Sequence, residues 1–162
     1  MKKVLYFTSS HQIGLTALLA EQACSLVKHA PDQFLFVSGE KEQLPGLFEK
    51  LRAAGARYVA IKGLDDHFDF FGLAKKFEIL VKEFQPEIVH VQTNWQLAIA
   101  VGAKYWHGNS YSVFYTLHGY RHNYAFRSVF ARYVIGLSLS LFVDKVYVSS
   151  TFLKNKFRSL KG

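Results

Sequence analysis

Short apolar, β-branched or aromatic runs recur along the chain, and each is followed by a longer stretch with helical spacing. That alternation, kept from one end to the other, restricts the chain to strand–helix architectures. The strand candidates are Val4–Thr8, Phe34–Ser38, Tyr58–Ile61, Ile88–Gln92, Ser112–Leu117 and Lys145–Ser149. Of the helical stretches between them, the first sets Leu15, Leu18, Leu19, Ala23, Leu26 and Val27 on one face. The second sets Leu44, Leu47, Phe48 and Leu51 together before Gly55, a good C-terminal stop. The third carries Leu73, Phe77, Leu80, Val81 and Phe84, ends before Pro86, and points Lys75, Lys76 and Lys82 elsewhere. Two more, 95–106 and about 124–142, are richer in apolar residues and are expected to pack more deeply. Strands alternating with helices imply a parallel sheet with right-handed crossovers. The expected fold is therefore α/β, a Rossmann-like parallel sheet with helices on both faces.

With 162 residues the chain has enough length for one substantial core and too little for two, so a single domain over 1–162 is expected. Half of the residues are hydrophobic and only three are proline, which excludes a disordered chain. The opening "MKKVLYFTSSHQIGLTALLAEQA" is basic and then apolar, but polar "TSSHQ" interrupts the apolar stretch too early for an export signal. The longest later apolar stretch, 133–143, is far short of the roughly 20 residues of a spanning helix. Cys24 is the sole cysteine, so no intrachain disulfide can form, and its apolar setting predicts a buried thiol in a reducing compartment. A formal charge of +8 favours contact with phosphates, nucleic acid or an anionic membrane surface without choosing among them.

In a parallel α/β sheet, ligands gather at the carboxyl ends of the strands. Three polar segments fall there: "TSSHQIG", "QTNWQ" and "TLHGYRH". The first leads into a helix whose free N–H groups suit a phosphate, and Gly14 would allow close backbone approach. Its spacing matches neither G-x-G-x-x-G nor G-x-x-x-x-G-K-S/T, which removes most support for a dinucleotide dehydrogenase or an NTPase and leaves Glu40 an ordinary loop charge. His90 and Gln92 share one side of the fourth strand, where a lone histidine is more often a satisfied core group than a ligand. Asn94 lies beyond that strand and either caps the following helix or touches a substrate. At the end of the fifth strand, His118 could exchange a proton or hydrogen bond with a sugar hydroxyl. Gly119 would clear room, and Arg121 could hold a phosphate in its planar fork. Asp65, Asp66, His67 and Asp69 share a loop without a recognisable metal spacing, so no metal is expected. No G-x-S-x-G elbow offers a hydrolase nucleophile.

Taken in order, "KVLYFTSS", "LTALLAEQACSLV", "FQPEIVHVQT", "YTLHG" and "DKVYVSSTFLKNKF" resemble the N-terminal half of the GT-B retaining glycosyltransferases of family 4. The resemblance runs over nearly the whole chain. It implies an acceptor-binding N-terminal domain, with a C-terminal domain outside this chain binding a UDP- or GDP-linked sugar and no further cofactor. It places Gly14 by the donor diphosphate, although Ile13 and Leu15 stand where family members often pair glycines, and His118 beside the transferred sugar. Ser10, His11, Asn94, Gly119, Tyr120 and Arg121 then fall on the acceptor side. The expected activity is transfer of a sugar to a glycan or lipid-linked acceptor once the missing domain, or a partner subunit carrying it, is present. A split-enzyme subunit and a non-enzymatic Rossmann-like binding module are the alternatives. Many members act at the cytoplasmic membrane face. On that basis the chain is expected in the cytoplasm or peripherally on that face, with Lys75, Lys76, Lys82, Arg121, Arg127 and Arg132 able to meet anionic lipid. Nucleic acid is not an expected partner, because no RNA- or DNA-reading motif is present.

Overall fold

The apolar runs form strands β1 (Val4–Phe7), β2 (Phe34–Gly39), β3 (Arg57–Ile61), β4 (Ile88–Val91), β5 (Ser112–Leu117) and β6 (Lys145–Val148). Helices α1 (Leu47–Ala53), α2 (Phe70–Phe84) and α3 (Asn94–Trp106) connect them, and a 3-10 turn, Pro31–Gln33, leads into β2. The computed structural model describes residues 2–8, 21, 24–25, 27–28, 30–40, 46–64, 69–106, 108–117, 137 and 139–148. Residues 21, 24, 25 and 27 are helical, as are 137 and 139–142.

All six strands run parallel in one sheet, in the order β3-β2-β1-β4-β5-β6. The chain builds from β1 outward to β3, crosses back to lay β4 against the other side of β1, and builds outward again to β6. Val4 therefore sits between Phe34 and Ile88, and Phe7 between Val37 and Val91. The crossover reverses the direction of building between β1 and β4, and in open parallel sheets ligands bind at the carboxyl ends of the strands at such a switch point.

Strand alternation sorts the core into two layers. Leu5, Phe7, Val37, Val89, Val91 and Val113 meet Leu73, Phe77, Val81, Ile99 and Ala103 of α2 and α3. On the opposite face Phe34 and Phe36 meet Val27, Leu51 and Ala56, with Val4 and Tyr6 at the margin. Both faces are covered, as the alternating pattern predicts. The Phe7 and Phe77 rings stack at 4.5 Å between centroids, and neither is exposed. Burying a side chain of this size stabilises the fold by about 1.5–3 kcal/mol. Cys24 packs against the second layer only half-buried, shallower than its apolar setting predicts.

Helix ends follow local chemistry. The Asp69 carboxylate accepts the Gly72 N–H at 2.8 Å and caps α2, so the helix begins one turn before its first buried leucine. Asp69 thus has a structural task, while Asp65, Asp66 and His67 lie outside the described residues. At the other end Gln85 takes a left-handed φ of 52° and its N–H closes on the Val81 carbonyl, just before Pro86. The stop predicted at Gly55 is also present, with φ at 81° and its N–H bonded to the Arg52 carbonyl. On α2 the expected outward charges divide. Lys82 pairs with Glu78, which is buried and not part of a solvated face, and Lys76 donates to the Lys62 carbonyl. Lys75 stays exposed.

Candidate functional site

β1 and β4 stop together at Phe7 and Val91, one residue short of their expected ends, which carries Thr8 and Gln92 past the last paired rung. Thr8 keeps a backbone bond to the Val37 carbonyl at 2.9 Å, and both residues are buried. Gln96, in the first turn of α3, is only 1% exposed. The hydroxyl oxygen of Thr8 and the amide oxygens of Gln92 and Gln96 meet no hydrogen-bond partner among the described residues. An unsatisfied buried polar group costs about 1–3 kcal/mol, so each of these oxygens, two just past the strand ends and one in the first turn of α3, calls for a partner. Such oxygens accept from hydroxyl groups, either of a polyhydroxylated ligand or of ordered water.

Gln96 is held in the first turn of α3 because the Thr93 hydroxyl accepts its N–H at 3.3 Å. Thr93 therefore does the N-capping, a role that the sequence also allowed for Asn94. Asn94 is instead the exposed first residue of the helix, and its amide oxygen accepts the Tyr115 hydroxyl at 2.7 Å. Burial pushes the Tyr115 phenol up to about 12, so it remains a donor at neutral pH and fixes which way the Asn94 amide faces.

On the opposite face of the sheet, Nε2 of His90 lies 2.6 Å from the Thr116 hydroxyl, with the tautomer deciding which atom donates. Its ring sits 5.2 Å from Tyr6 and 5.9 Å from Tyr147, and Tyr6 in turn stacks on Phe36 at 5.3 Å. Burial, followed by the nearby Tyr147, raises the Tyr6 phenol above its usual range. His90 is thus the satisfied strand histidine that its sequence setting favours, and it belongs to an aromatic row across the sheet.

Of the candidate residues, Asn94 is the one described; Ser10, His11, Gly14, His118, Gly119, Tyr120 and Arg121 lie outside the described residues. β5 ends at Leu117, the residue before His118 in the chain. Sequence reasoning missed Thr8, Gln96, Tyr115 and Thr116. Gln96 lies in the polar segment "QTNWQ", which the sequence marks only as a whole, and the bond from Tyr115 to Asn94 joins β5 to the start of α3 and left no local signal. Among the described residues, no three His, Cys, Asp or Glu side chains gather as a metal would need, and no helix is long and apolar enough to cross a membrane.

No protein-family profile matches the chain, and no curated protein matches its sequence. Among solved structures, the apo form of the lipopolysaccharide outer core galactosyltransferase WaaB matches with a TM-score of 0.62 at 11% identity. The match covers 97% of this chain and 42% of that one, so the chain spans about two fifths of the enzyme's length. At that identity the likeness is one of fold: the chain shares with the matched part of that structure a Rossmann-like α/β fold.

Proposed function

We propose that the chain is the acceptor-binding domain of a retaining glycosyltransferase that moves a sugar from a UDP- or GDP-linked donor to a glycan or lipid-linked acceptor. One observation carries this reading, a fold match to a galactosyltransferase along 97% of the chain, and the unpartnered oxygens of Thr8, Gln92 and Gln96 support it. Thr8, Gln92 and Gln96 would accept from sugar hydroxyls. Asn94, oriented by Tyr115, stands at the mouth of α3 on the acceptor side, together with Ser10, His11, Gly119, Tyr120 and Arg121. His118 lies beside the transferred sugar, where its imidazole can hydrogen-bond to a hydroxyl as charge develops. The Gly14 loop approaches the donor diphosphate. The nucleotide is held by a second domain, in the same protein or in a partner subunit, and catalysis belongs to the assembled pair at the cytoplasmic membrane face.

The test is transfer from UDP- and GDP-sugars by the protein with its second domain or partner in place, compared with its His118→Ala variant. Loss of turnover by about 10²–10⁴-fold with an unchanged far-UV circular dichroism spectrum and melting temperature is expected. Undiminished turnover in the variant would remove His118 from the mechanism. No transfer from any donor would remove the enzyme reading itself.

A further inference from the structure

α3 is apolar towards water as well as towards the sheet, and Lys104 is its one charged residue. A helix that is apolar all round is a covered helix. Its outer stripe is Asn94, Ala98, Val101 and Tyr105, spaced by four, three and four residues. The stripe is the floor of a groove of about 490 Å³, walled by Phe70 of α2 and by Leu139 and Phe142. A Cβ at Gly102 would come within 3.2 Å of the Phe70 ring, so glycine is what lets that wall close on the helix.

The rim carries large rings in the open. Phe71 stacks on Trp106 at 5.5 Å while 73% and 59% of their surfaces face water, and Tyr105 beside them is 54% exposed. At roughly 200 Å² for an aromatic residue, these three alone offer about 370 Å². A stable two-protein interface buries about 800 Å² per partner, with aromatic residues enriched and charged ones depleted at its centre. Three neighbouring residues thus supply nearly half of what a dimer needs, before the floor and the exposed Leu141 and Ala98 are added.

The spacing of the stripe identifies the occupant. Four, three and four read the same from either end, so a second α3 laid antiparallel sets Asn94 against Tyr105 and Ala98 against Val101, each pair twice. Alternating three- and four-residue steps are also the seam along which helices pair at shallow angles. Both ends of the stripe are hydrogen-bonding, and antiparallel pairing joins them: an amide that donates and accepts meets a hydroxyl that does the same. Lys104, at the Tyr105 end, is answered within its own chain by Asp144 at 3.5 Å, so its charge needs no counterpart across the seam. The same two-fold rotation carries the stacked Phe71 and Trp106 of one copy to the Asn94 end of the other copy's groove. From this geometry we propose that the chain forms a two-fold dimer through the outer face of α3, each copy seating its exposed aromatic pair in the groove of the other. Dimerisation of this kind does not depend on sugar transfer.

Sedimentation equilibrium of the 162-residue chain over a range of concentrations tests this, and a monomer–dimer equilibrium is expected. Ala98 and Phe71 are exposed, so Ala98→Glu and Phe71→Glu leave the core untouched, as an unchanged far-UV circular dichroism spectrum would verify. Each should weaken the dimer by about tenfold or more, because its carboxylate would be buried in an uncharged seam. Val101→Lys should do the same. An equal mixture of Ala98→Glu and Val101→Lys chains should recover the dimer, since antiparallel pairing sets the new carboxylate against the new ammonium. A monomer at every concentration would overturn the proposal, as would a dimer that Ala98→Glu and Phe71→Glu leave intact, or a mixture that recovers nothing. So would open-ended association, the mark of a head-to-tail contact. Capture of the monomer by phosphatidylglycerol vesicles, lost in Ala98→Glu, would give the face to a bilayer instead, and a dimer that vanishes once the second domain is attached would give it to that domain. No readout here uses transfer, so the dimer and the transferase reading stand or fall separately.

Discussion

Tyr115 links the core to the start of α3: its ring is buried in the layer under α3, and its hydroxyl orients Asn94. Its phenol titrates at about 12, above the ordinary value of 10, because burial disfavours the phenolate. A raised acid pKa means that the unfolded chain loses this proton first. Stability from this group is therefore complete below pH 10 and is lost as the pH rises from 10 to 12, by on the order of 3 kcal/mol in all. Tyr111, whose hydroxyl donates to the Ala100 carbonyl at 2.6 Å, is pushed up by burial as well and acts in the same direction. Urea denaturation across this pH range should show the decline, and Tyr115→Phe should flatten it while costing about 1 kcal/mol at neutral pH for the lost bond. An unchanged alkaline slope in the variant would mean that Tyr115 is not its source.

At the scale of elements, α2 offers a test in which two local effects oppose each other. Gly72 leaves space for the Asp69 cap, and a Cβ there would collide with that carboxylate. Gly72→Ala alone gains about 1 kcal/mol of helix propensity and loses about as much in capping, so little net change is expected. In an Asp69→Ala background the cap is already gone, and the same substitution should stabilise by about 1 kcal/mol. Chemical denaturation of the four proteins of the cycle checks this; equal effects of Gly72→Ala in both backgrounds would mean that the added Cβ leaves the cap undisturbed. The same helix shows what a sequence carries locally. Strand limits were legible to within one residue, since apolar runs between polar or turn residues are a local signal. The start of α2 was not, because Asp69 stood in an acidic loop where capping and metal binding look alike until the backbone is known. Thr93 and Asn94 posed the same ambiguity, and hydrogen-bond geometry resolved it in favour of Thr93.

For the whole molecule, one sheet joins both core layers, and unfolding should be a single cooperative event. Circular dichroism and tryptophan fluorescence, which reports Trp95 and Trp106 beside α2, should give coincident urea transitions; separated midpoints would divide the sheet into independent units. The fold class was readable from the order of elements, but the groove was not. Its walls come from three segments that approach one another only after the crossover, and no spacing within any one of them announces it. The unpartnered oxygens were equally hidden, because burial of Thr8 and Gln92 depends on which strands become neighbours. That neighbourhood has a consequence during synthesis. β1 leaves the ribosome before β2 and gains it early, yet its other edge must wait for β4, with β2 and β3 both made in between. Throughout that interval the nascent chain presents an unpaired apolar strand edge, open to any passing strand, so the centre of the finished sheet is the most exposed part of the growing one.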